Sequence, residues 1–121
     1  AKGVWNSRLH PRQEDRINRQ LLDSFRRQAD RRQRGWLAQA VSDDRGFDRS
    51  PQSAYAVAWA LTFFLAETRP RQYVALLEKI AALPPFTLYR SPARVKDFSD
   101  IFGADLALLE AQLERFIATL P

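Results

Sequence analysis

Between Ala54 and Ala66 the chain runs thirteen residues with Thr62 as its only polar side chain. Ser50-Pro51 stands just before, a capping side chain followed by the proline that suits a first helical turn. The stretch reads as a helix from Pro51 to about Glu67 with apolar surface on every side. Such a helix is a central one, buried by neighbours all round. It is too short to cross a bilayer, which takes roughly 20 apolar residues. The rest of the chain must therefore supply the helices that wrap it.

The rest has the patterning to do so. Ile17, Leu21 and Phe25 recur every four residues, with Leu22 and Ala29 beside them, which predicts a helix from about Gln13 to Arg32 that Gly35 ends. Trp36 to Val41 makes a short apolar turn or helix, and residues 43–50 a polar loop. Pro70 opens a helix with Tyr73, Leu76, Leu77 and Ile80 on one face, stopped by Pro84-Pro85. Ser91-Pro92 repeats the cap-plus-proline start, and the helix after it carries Val95, Phe98 and Phe102 up to Gly103. Asp105 caps a last helix striped with Leu106, Leu109, Leu113, Phe116, Ile117 and Leu120. Thr87-Leu88-Tyr89 is the one strand candidate and is too short to stand. The expectation is an all-α fold: one compact domain over residues 1–121, a bundle of five main helices plus one short one, with residues 1–12 irregular.

Composition excludes several chemistries. The chain has no Cys, which removes disulfides, thiol nucleophiles and thiolate metal sites. Its one histidine, His10, excludes any site built on two, so a self-contained zinc enzyme is not expected from these residues. His10 lies near Glu14 and Asp15 but reads as a solvated side chain. Glu110 and Glu114, one turn apart and off the apolar stripe, read as a solvated pair rather than an acid–base dyad. Trp59 belongs to the core, while Trp5 and Trp36 would dock the amino-terminal segment onto it. There is no phosphate loop, nucleophile elbow, dinucleotide fingerprint or H-E-x-x-H.

Charge is uneven. The net charge is +5, and Arg12, Arg16, Arg19, Arg26, Arg27 and Arg34 fall on the arc of the first helix opposite its apolar face. Such a stripe can bind phosphate. It is also a solvated face held by the i,i+4 pairs Arg19/Asp23, Asp23/Arg27, Arg26/Asp30 and Asp30/Arg34, each worth about 0.2–0.5 kcal/mol. No aromatic residue interleaves with the arginines to stack a base, so the solvated face is the better reading and nucleic acid a poor partner. No signal-peptide core lies in residues 1–30, and the sequence alone leaves the compartment open.

Two segments carry a resemblance. In one, Tyr55, Ala56, Trp59, Ala60, Leu61, Phe64 and Leu65 match a Y-A-x-x-W-A-L-x-x-F-L pattern. In the other, Phe98, Phe102, Gly103, Asp105, Leu106, Leu109 and Glu110 match F-x-x-x-F-G-x-D-L-x-x-L-E. Over residues 50–118, and more loosely over 12–49, the chain resembles the carboxy-terminal helical part of the DUF1570 family, which belongs with the peptidase-MA-like gluzincins. That implies a helical subdomain cut from a longer, zinc-metallopeptidase-type protein whose H-E-x-x-H helix and downstream Glu precede this region. No cofactor is then expected in this chain, zinc being bound in a longer parent, and no activity is expected from it alone. The resemblance also implies a secreted or periplasmic setting, and a cleft formed with an amino-terminal half. Tyr55 would stand where such enzymes place an oxyanion donor. The alternative expectation is a stand-alone module that binds a protein partner or itself, and the third is nucleic-acid binding through residues 13–34.

Overall fold

The computed structural model describes residues 12–42, 51–85 and 89–121, and among them every regular element is helical. In chain order these are α1 (Arg19–Arg27), α2 (Trp36–Ser42), α3 (Pro51–Thr68), α4 (Pro70–Ala81), α5 (Ser91–Phe102) and α6 (Leu106–Ala118). Single 3-10 turns occupy Gln13–Arg16 and Ala29–Arg31. His10, Trp5 and Ser50, together with the 43–50 loop and Thr87-Leu88, lie outside the described residues.

Helix α3 is the hub, packed by α1, α4 and α6, while α2 sits between α5 and α6. Ala56 and Ala60 are buried on α3. Phe63 and Phe64 both reach Phe116 of α6, at ring-centroid distances of 6.0 and 5.6 Å. Leu22, Leu37, Leu65 and Leu113, from four helices, are the largest fully buried side chains.

The helix expected over 13–32 is broken in three. Asn18 stops it at one end, its Oδ1 accepting from the Leu21 N–H at 3.1 Å and so serving as an N-cap for α1. At the other end Arg32 folds back, donating to the Phe25 carbonyl at 2.7 Å with its guanidinium 3.6 Å from the Phe25 ring centroid. That carbonyl is one of those a helix end leaves without an intrahelical donor, so the chain turns there instead of continuing.

One of the two expected caps stands and the other does not. Asp105 caps α6 as read, its Oδ1 accepting from Leu108 N–H at 3.0 Å. Helix α5, by contrast, already includes Ser91, and its N-cap Arg90 makes no side-chain capping bond. Gly103 closes α5 at φ +104, a conformation that side chains rarely adopt.

Glu110 and Glu114 are not a solvated pair. Glu110 is buried, and its carboxylate accepts from Leu37 N–H at 2.9 Å and Gly35 N–H at 3.3 Å, capping α2 from a different helix. Glu114 accepts from Trp36 Nε1 at 2.9 Å. Trp36 is a core residue, meeting Phe25 edge-on at 5.7 Å. Helix spacing gave no hint of this, because the acceptors serve a segment more than seventy residues earlier.

Leu113→Ala should destabilise the fold by about 2–5 kcal/mol in urea denaturation, since it empties a fully buried site. Glu110→Ala should cost about 1–3 kcal/mol by leaving two amides of the α2 turn without their acceptor.

Candidate functional site

The central helix is not covered all round. Tyr55, Ala58, Thr62 and Ala66 form one exposed stripe along α3, with Tyr55 at 59% exposure. At 100° per residue these positions fall within an arc of about 80°. Their counterparts on the other faces, Ala56, Ala60, Phe63 and Phe64, are buried. Helices α1, α4 and α6 make the main packing contacts of α3, and the stripe lies outside them. Expectation and structure therefore part here: the sequence provides a helix to be buried on all sides, and the bundle buries three.

Beside this stripe runs a groove of about 540 Å³ between α2, α3, α4 and α5. Leu61, Leu65, Leu76 and Phe98 are among the apolar residues lining it, and Thr62 belongs to both the groove and the stripe. Tyr89 and Arg94 bring the polar groups. The Tyr89 hydroxyl donates to Asp97 Oδ2 at 2.5 Å, and Lys79 Nζ lies 3.1 Å from Asp97 Oδ1. Burial, with the Asp97 bond adding to it, pushes the Tyr89 phenol up to about 12. The Tyr89 hydrogen bond, helped by Lys79, holds the Asp97 carboxyl below the usual carboxylate range. This network ties α4 to α5. It holds a phenol protonated and a carboxylate ionised, which suits positioning rather than proton transfer near neutral pH.

The arginines do not form a common anion-binding face. Arg16 binds Glu67 through two nitrogens, Nε at 2.8 Å and Nη2 at 3.0 Å. Arg26 Nη2 reaches the Ile117 carbonyl in the last turn of α6 at 2.9 Å and the Leu120 carbonyl just beyond it at 2.7 Å. Arg19 donates to the Pro121 carbonyl at 2.5 Å. Cations at the carbonyl end of α6 complement its dipole. Arg12, Arg27 and Arg34 are exposed, Arg12 lying 4.0 Å from Glu14. The expected i,i+4 links are absent too: among the described residues no ion pair includes Asp23 or Asp30. The arginines act between helices rather than along one.

Of the other motif residues, Phe64, Leu65, Phe98 and Leu109 are buried, while Trp59, Leu61 and Phe102 pack against the core from its edge. Trp59 stacks on Phe63 at 5.0 Å. Gly103 and Asp105 end α5 and start α6. Among the described residues no three His, Asp or Glu side chains come together to hold a metal ion. No described helix is long and apolar enough to cross a membrane. Sequence spacing carries no signal for the groove or for the Tyr89–Asp97 link, because Tyr89 lies outside any periodic element.

The pH dependence of that link follows from its two groups. Asp97 is depressed, so its contribution is present above its ordinary 3.8 and is lost as acid takes the pH through its lower folded value. Tyr89 is raised, so its contribution holds below 10 and is lost as the pH climbs through about 12. Asp97→Asn should bring the Tyr89 titration part of the way back toward 10, read by NMR of ring-labelled tyrosine.

A family model described as protein of unknown function (DUF1570) matches residues 5–87. The matched span takes in α1 to α4, with the Tyr55–Leu65 pattern, and ends before the Asp97–Phe116 segment. No curated protein and no solved structure gives a significant match. With well over half of its length matched, the chain belongs to the DUF1570 family of proteins of unknown function.

Proposed function

We propose that this chain is the helical wall of a gluzincin-like protein, with no chemistry of its own, and that it closes one side of a cleft formed with an amino-terminal half. The observation that carries this reading is the uncovered stripe on α3. A helix this apolar is left open to water on one face only at a cost, unless a further part covers it. In this reading, the resemblance of the Tyr55–Leu65 pattern to peptidase-MA-like gluzincins makes that part a metallopeptidase-type half. The residues present do not fit a zinc site themselves: one histidine, no cysteine, and no ligand cluster among those described.

In this reading Tyr55 is the residue that faces chemistry. Its support is exposure: Tyr55 lies in the second turn of α3 at the head of the exposed stripe rather than in the core. A hydroxyl there would donate a hydrogen bond to a tetrahedral oxyanion. The second reading, a self-sufficient interaction module, has its support in α4, where Val74, Leu77 and Ile80 are exposed.

In the longer protein, Tyr55→Phe should lower turnover about 10²-fold with the melting temperature unchanged, as loss of one oxyanion donor does. Equal turnover would remove Tyr55 from the mechanism. Reading the gene upstream of the Ala1 codon tests the wider proposal. An in-frame H-E-x-x-H with a downstream Glu is expected, and an upstream frame without that motif would sink the cleft-wall role.

A further inference from the structure

Helix α4 is held from one side only. Gln72 donates to the Ile101 carbonyl at 3.0 Å, Lys79 pairs with Asp97, and Tyr73 and Leu76 pack against the core edge. No residue of α4 is buried. On its opposite side Arg71, Val74, Ala75 and Glu78 form one outward stripe, and with Pro70 they line a shallow depression of about 430 Å³. Val74 is 50% exposed. Arg71 and Glu78 stand two turns apart, roughly 10 Å along the axis, so they do not neutralise each other. Among the described residues neither belongs to an ion pair.

Their spacing is symmetric. The midpoint between positions 71 and 78 falls between Val74 and Ala75. Two α4 helices laid antiparallel about a twofold axis at that point bring Arg71 of each copy against Glu78 of the other. Val74 and Ala75 meet across the axis, and the small alanine lets the backbones approach. A parallel pairing in register would set Arg on Arg and Glu on Glu. Self-complementarity of one patch is what an isologous contact requires. We propose that the outward face of α4 is a homodimer interface, its occupant a second copy of this chain held antiparallel by two Arg71–Glu78 contacts.

The proposal rests on the interaction-module reading and is independent of the α3 stripe, so the Tyr55 experiment and the one below fail separately. A contact between two short helices lies at the small end of interface sizes, below about 1,200 Å², and association is therefore weak and concentration-dependent.

Sedimentation equilibrium of the 121-residue chain from about 10 µM to about 1 mM should show a monomer passing to a dimer. Arg71→Glu and Glu78→Arg should each weaken the dimer about tenfold or more, because each sets two like-charged pairs across the axis. An equimolar mixture of the two variants should regain the dimer, since both cross-pairs are then opposite in sign. That restoration also shows that neither variant is misfolded, as does an unchanged far-ultraviolet circular dichroism spectrum. A wild-type monomer at every concentration, a dimer indifferent to both variants, or a mixture no tighter than either variant alone would each overturn the proposal.

Discussion

One buried carboxylate organises the join between the first half of the chain and the last. Glu110, on α6, accepts from the amides of Gly35 and Leu37 and so completes the start of α2. A seven-residue helix is far below the length that is stable by itself in water, about 12–15 residues. It forms because α6 satisfies its first amides and because Trp36 is pinned by Glu114 and Phe25. Arg32 completes the node: its guanidinium lies over Phe25, caps the end of α1 and sits in the field of both glutamates. Burial lowers its pKa, against the pull of the two carboxylates, yet an arginine stays charged. Three helices meet at this cluster, and each contributes a group the others need.

Around the node the arginines act as struts. Arg26 and Arg19 grip carbonyls at the carboxy-terminal end of α6, and Arg16 clamps Glu67 near the end of α3. The Glu67 hydrogen bond raises the Arg16 pKa. Bidentate and carbonyl-directed bonds suit the planar guanidinium in a way that lysine would not match. Four arginines of the amino-terminal half, Arg32 among them, thus have a structural role.

What the bundle leaves open bears on function. The exposed stripe of α3, the groove that shares Thr62 with it, and the outward face of α4 differ in chemistry. The first is a small-residue stripe with a phenol at its head and one hydroxyl, Thr62, along it. The groove is apolar with a fixed phenol–carboxylate link at its rim. The third alternates charge about a point of symmetry. Membership of DUF1570 does not choose among them, since that family's function is itself unknown.

The all-helical class, the central place of α3 and the capping of α6 by Asp105 were legible in the residues, because apolar periodicity and capping chemistry act within a few positions of the chain. The breaks at Asn18 and Arg32 are local too, three and seven residues from the groups they bind, but the apolar periodicity runs across them. Tertiary structure alone decided the rest. Glu110 becomes a cap for a helix more than seventy residues away, and α3 keeps one face in water. The physical reason is the same in each case. Periodicity records which side of a helix is apolar, whereas the partner of a buried polar group, and whether a neighbour exists to cover an apolar face, depend on contacts between segments distant in sequence.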